Sequence, residues 1–105
     1  MALAFKILGQ TGDASSEVTL YSVPNGAETK LQVVVANRGS AATYRVAVIP
    51  GGGATANENY VAFDEPIPAN TSYLSPVFQL SGLDAVKVTA STATVSFTAS
   101  GAEQT

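Results

Sequence analysis

The sequence predicts an all-β domain, an antiparallel β-sandwich of about eight strands, and three observations predict it. Apolar and polar residues alternate with period two in short segments, and Gly, Pro, Asn and Asp separate those segments. β-Branched Val, Ile and Thr are abundant, while no window of about ten residues combines helical apolar spacing with a cap and good helix formers. The winding is jelly-roll or immunoglobulin-like; the Cys and Trp landmarks of antibody domains are both missing. With 105 residues the chain builds one core, so residues 1–105 form a single domain.

In order along the chain, the apolar start Met1 to Leu8 reads as a first strand with Leu3, Phe5 and Ile7 facing one way. It is too short for a signal h-region and lacks the basic residues that precede one. Val18 and Leu20 share a face in the second segment, which ends in the tight turn Val23-Pro24-Asn25-Gly26. Leu31, Val33 and Val35 alternate with Lys30, Gln32, Val34 and Ala36, and Asn37-Arg38-Gly39-Ser40 is a hairpin loop. Tyr44, Val46 and Val48 then alternate with Thr43, Arg45 and Ala47. The longest loop, Pro50 to Asn59 with Gly51, Gly52 and Gly53, is expected to be the most mobile segment. Tyr60 to Phe63 is a short strand stopped by Pro66 and Pro68. Ser72 to Gln79 follows, where Pro76 calls for an edge or a bulge. Val86 and Val88 oppose Lys87 and Thr89, and Val95, Phe97 and Ala99 oppose Ser96 and Thr98. The polar tail, residues 101–105, is expected to be loose.

Composition excludes several functions. Five basic residues scattered among eight acids give a formal charge of −3 and no basic stripe for phosphates, so nucleic acid is not an expected partner. Histidine and cysteine are absent, which removes the usual triads, zinc shells and disulfides. No apolar run approaches the ~18 residues that span a bilayer, so no membrane partner is expected and the protein should be soluble. Charged residues make up only 12%, about half the usual share, which points to buried subunit faces.

The remaining chemistry is thin. Asp64 and Glu65 are adjacent, and adjacent side chains on a strand face opposite sides, so they read as a solvated strand end rather than a glycosidase pair. Asp64, Glu65 and Asn59 could supply oxygen ligands to calcium, but too few acids cluster there. Gly51-Gly52-Gly53 lacks the Lys-Ser/Thr and helix of a phosphate loop. Asn70-Thr71-Ser72 matches a glycosylation sequon and reads as a turn. Tyr21, Tyr44, Tyr60 and Tyr73 could form a sugar platform or an interface, though strand tyrosines are more often half-core. No cofactor, metal or catalytic residue is expected, and the chain is read as a non-enzyme. The candidate interface is the outward set Val34, Ala36, Ala47 and Ile49 with Gly51, Gly52 and Gly53, small residues where a free monomer would place Lys and Glu.

Three stretches, LYSVPNGAETKLQVVVANRGSAATYRVAVIPGGG, NENYVAFDEPIPANTSYLSPVFQL and LDAVKVTASTATVSFTASG, resemble small β-sandwich virion proteins of tailed bacteriophages, including those infecting cyanobacteria. The similarity runs from Leu3 to Gly101 and contains no catalytic motif. It implies a capsid cement or decoration protein on the virion surface, made in the host cytoplasm, binding the major capsid protein across capsomers as a homo-oligomer, with a trimer favoured. The neighbouring implication is a tail or fibre module that binds host carbohydrate. On the cement reading, the loops Gln10 to Ser16 and Gly51 to Asn59 are the expected contacts.

Overall fold

A computed structural model describes residues 2–105; Met1, included in the first predicted segment, lies outside them. Nine strands follow one another: β1 (Leu3–Thr11), β2 (Val18–Ser22), β3 (Glu28–Asn37), β4 (Ala42–Ile49), β5 (Tyr60–Ile67), β6 (Ser72–Leu74), β7 (Phe78–Ser81), β8 (Ala85–Ala90) and β9 (Val95–Gln104). The ninth arises because the predicted segment Ser72 to Gln79 breaks around Pro76, which has no N–H to donate. Ser75 holds the break against β3. Its N–H donates to the Val33 carbonyl at 2.9 Å and its hydroxyl accepts the Val33 N–H at 2.8 Å.

One sheet has the order β1-β9-β3-β6, with β7 also paired to β3, and the other has the order β2-β8-β4-β5; every pairing is antiparallel. With β6 and β7 taken as one broken strand, the pairs β1·β9, β2·β8, β3·β6/β7 and β4·β5 are nested. They are the rungs of one long antiparallel ribbon rolled on itself, with β3·β9 and β4·β8 closing the roll. That order is a jelly roll, and it decides between the two windings the sequence left open.

The alternation places Leu31, Val33 and Val35 of β3, Val95, Phe97 and Ala99 of β9, Tyr44 and Val46 of β4, and Val86 and Val88 of β8 between the sheets. Phe97 meets the Tyr44 ring edge-on at 6.2 Å. The predicted turn after β2 is tight, with Ala27 N–H donating to the Pro24 carbonyl at 3.0 Å and Gly26 at φ 84°. The loop after β3, expected as a hairpin, is not one: β3 and β4 lie in different sheets and do not pair, so residues 37–40 carry the chain from one sheet to the other, and buried Asn37 organises the crossing. Its amide donates to the carbonyls of Ser40 (2.7 Å) and Ile67 (3.2 Å), and its side-chain oxygen accepts from Gly39 N–H and the Thr94 hydroxyl. One side chain thereby joins three connections that the fold brings to the same end.

Four other expectations are corrected. The strand that begins at Tyr60 is not stopped before Pro66: β5 runs through Asp64, Glu65 and Pro66 to Ile67, with Pro66 opposite Thr43, and it can do so because β5 is an edge strand, where a missing N–H is tolerated. Residues 101–105 are not a loose tail. β9 runs to Gln104 between β1 and β3, and Ala2 and Thr105 exchange both backbone hydrogen bonds, at 3.0 and 2.8 Å. A strand with a neighbour on each side satisfies its backbone whatever its side chains are. The loop 50–59 is not free either. Asp84 accepts the Gly51 N–H at 2.8 Å, Lys87 donates to the Gly53 carbonyl at 2.6 Å, and the Thr55 hydroxyl donates to Glu17 at 2.9 Å. The loop therefore straps the outer side of the β8-β4 sheet before returning to β5. Beneath it Ala47 and Ile49 are only 1% and 3% exposed. Their outward parity is as expected, but the chain's own loop covers them, so they are no open interface.

Candidate interaction surfaces

The outer side of the β1-β9-β3-β6 sheet stays open and carries large exposed apolar side chains, concentrated in a row on β1. Cross-strand partners share a face, so Leu3, Phe5 and Ile7 of β1 stand beside Gln104, Ala102 and Ser100 of β9, followed by Glu28, Lys30 and Gln32 of β3. Leu3 and Ile7 are more than half exposed and Phe5 is 80% exposed. Further along the same face come Val34 and Ala36, both half-buried, with Leu74 of β6 paired to Val34. Val77, in the break between β6 and β7, lines a shallow apolar depression with Phe5, Ile7 and Ala102. Of the predicted interface residues, this face brings together Val34 and Ala36. Gly51, Gly52 and Gly53 lie instead in the strap, with φ values of 75°, 76° and 91°. The contribution of Leu3, Phe5 and Ile7 was visible only as a shared parity; periodicity does not say which side of a sheet that parity faces.

A second surface lies at the β4–β5 edge. Two register shifts in the β4·β5 ladder, with Asp64 at φ 50°, turn Asp64 onto Arg45, whose Nε and Nη2 donate to its two carboxylate oxygens at 2.7 and 3.3 Å. The same guanidinium lies 4.1 Å from the Phe63 ring centre and 6.0 Å from that of Tyr60. The two rings meet edge-on at 4.9 Å. Of the four tyrosines, Tyr60 belongs to this exposed group. Tyr44 and Tyr73 approach each other at 6.4 Å along the rim between the sheets, and burial pushes the Tyr44 hydroxyl up to about 12. Tyr21 donates to Glu103 and meets the Thr29 hydroxyl. Burial and then that carboxylate push its own proton affinity to about 12.

The suggested calcium ligands do not converge. Asp64 is engaged by Arg45, and the Asn59 side-chain oxygen accepts the Ala56 N–H at 2.7 Å. Glu65 registers with Tyr44 while Asp64 turns to Arg45, so the adjacent carboxylates part. Among the described residues no three His, Cys, Asp or Glu side chains gather as a metal site. Asn70 sits at φ 56° in a turn, as its sequence context predicted. The Gln10 to Ser16 stretch is also pinned: Gln10 and Thr11 belong to β1, Arg38 donates to the Gly12 carbonyl at 2.7 Å, and Ala90 N–H donates to that of Ala14.

Four carboxyls are held below their ordinary range, each by hydrogen bonds to the charged form. Asp13 is held by the Ser15 N–H and hydroxyl, Asp64 by Arg45, Asp84 by the N–H groups of Ser81 and Gly51, and Glu103 by the Tyr21 hydroxyl and then Lys6. A carboxyl depressed on folding stabilises the fold above its unfolded value and loses that contribution as pH falls through the folded one. The thermal midpoint should therefore fall below about pH 4, modestly because these carboxylates are solvent-exposed, and stay level from pH 6 to 8, where no histidine titrates. Thermal unfolding followed across pH 2–9 checks this; a change between pH 8 and 6 as large as that between 5 and 3 would contradict it.

A scan of the chain against protein-family models finds no match, and neither does a search of curated proteins.

Proposed function

We propose that this chain is a virion structural protein, a capsid cement or decoration protein that stabilises a phage head by binding across neighbouring capsomers. The observation that carries the proposal is the open outer face of the β1-β9-β3-β6 sheet, with Leu3, Phe5, Ile7, Leu74 and Val77 exposed on a two-sheet frame. Large exposed apolar side chains of that kind, set beside Glu28, Lys30 and Gln32, cost solubility unless something covers them, and they supply contact area without a cleft. Two further features support the reading: the resemblance running from Leu3 to Gly101, and a jelly-roll order used by capsid and lectin domains alike. Catalysis has no part in it.

The test is co-sedimentation with empty expanded capsids and, separately, with dispersed capsid subunits. Retention by capsids but not by subunits is expected, because a site shared between capsomers exists only after assembly. Several weak contacts acting together would raise apparent affinity by ~10²–10⁴ over a single contact. Equal binding to subunits and capsids, or to neither, would overturn the proposal. A second reading, a tail or fibre module that binds host surface carbohydrate, is favoured by the Tyr60–Phe63–Arg45–Asp64 group. It offers apolar ring surface beside a planar guanidinium–carboxylate pair. Binding to a host surface glycan without capsid retention would promote it.

A further inference from the structure

The four outer edges of the two sheets are not alike. β2 is five residues long and carries a bulge, β5 has two register shifts and contains Pro66, and the edge opposite β1 is split into β6 and β7 around Pro76. Those are the devices by which natural sheets prevent edge pairing. β1 has nine residues, and its only irregularity lies after Ile7, so Leu3 to Ile7 form an unbroken edge.

The hydrogen-bond phase fixes what that edge presents. Ala2 and Thr105 exchange both bonds, and bonded pairs recur at every second residue of an antiparallel ladder. Ala4 and Lys6 therefore point their N–H and C=O groups at β9, whereas Leu3, Phe5 and Ile7 point theirs away from it. The residues with free backbone groups are also those with exposed apolar side chains.

We infer that β1 pairs antiparallel with β1 of a second copy about a twofold axis at Phe5, joining the two β1-β9-β3-β6 sheets into one continuous sheet. In this register Leu3 faces Ile7 of the second copy and Phe5 faces Phe5, so three bonded pairs use every free group from Leu3 to Ile7. Sliding by two residues one way sets Lys6 against Lys6; sliding the other way sets Ile7 against Met1, which lies outside the described residues. On the opposite face, Lys6 of the second copy lies across from Ala4, and Ala4 lies across from Glu103. Only a methyl group stands between that lysine and Glu103, about 10 Å apart at the backbone from strand spacing. Within one copy Lys6 already lies 3.3 Å from Glu103, so the carboxylate would be flanked by a cation from each copy. Such an isologous contact closes at two copies, not at the three suggested by the family resemblance. It also extends the Leu3–Phe5–Ile7 stripe across the axis, whatever partner the outer face meets.

Light scattering on the purified protein on the order of 100 µM should give twice the chain mass, falling to one chain on dilution. Amide exchange at the same concentrations gives the finer readout. The Leu3, Phe5 and Ile7 amides should exchange about tenfold or more slowly in the concentrated sample, while Ala4 and Lys6 are protected in both. Phe5→Pro removes an N–H that β9 does not use, so it should abolish the dimer and keep the strand-rich circular dichroism; Phe5→Lys, which keeps the N–H, should weaken it. A monomer at high concentration, a dimer whose protection falls on other amides, or a folded Phe5→Pro protein that still dimerises would each overturn the inference. None of these measurements involves capsids, so they fail or succeed independently of the virion proposal.

Discussion

Gly101→Ala should destabilise the fold by more than about 3 kcal/mol, beyond the ~1–3 kcal/mol usual for an overpacked site. Gly101 lies in β9 between Lys6 of β1 and Leu31 of β3. A Cβ there would stand 2.0 Å from the Lys30 carbonyl oxygen and 2.8 Å from the Leu31 Cα. Both are backbone atoms of the strand through which β9, β6 and β7 are joined, so no side-chain rotation relieves the contact. Either β9 leaves β3 or β3 shifts as a whole. Urea unfolding should show the midpoint lowered by about 1 M or more at unchanged slope. A midpoint within 0.2 M of the parent, roughly the size of a neutral surface change, would show that the strands separate there more easily than the packing implies.

Phe97→Ala should cost about 3–5 kcal/mol, a large share of the ~5–15 kcal/mol that holds a small domain together. The Phe97 ring is fully buried among the valines of both sheets and edge-on to Tyr44, and neither sheet can collapse into its volume without breaking a ladder. Phe5→Ala is the internal comparison: at 80% exposure it should change the monomer's stability by no more than about 0.5 kcal/mol. Equilibrium unfolding of both variants at dilute protein concentration provides the check. Equal losses would mean that Phe5 is covered within a single copy.

The two phenylalanines also mark how far the sequence could be read. Both stand in alternating strands and look equivalent there; only the strand order shows that one row lies between the sheets and the other outside. The same limit explains Ala47 and Ile49. Their outward parity was legible, but the strap that buries them is held by Asp84, Lys87 and Glu17, residues distant in sequence whose charges read as ordinary surface. Pro76 announced an irregular edge because a missing N–H is a local property, and the Pro24–Gly26 turn was legible for the same reason. The role of Asn37 as a buried junction was not legible, since its partners Ile67 and Thr94 come together only once the ribbon has rolled. Period and turns specify segments here, and long-range pairing specifies what those segments touch.

The nested pairing also sets a timetable for biosynthesis. The strand made first waits for the strand made last: Gln10 bonds Thr98, which is 88 residues further along the chain. At a synthesis rate of ~5–20 residues per second, β1 stays without its partner for roughly 4–18 s after it is made. Through that interval both of its edges are unpaired and the Leu3–Phe5–Ile7 row is in contact with whatever surrounds the ribosome. Chains emerging side by side on one message are then most exposed to one another at the strand that lies at the rim of the finished fold.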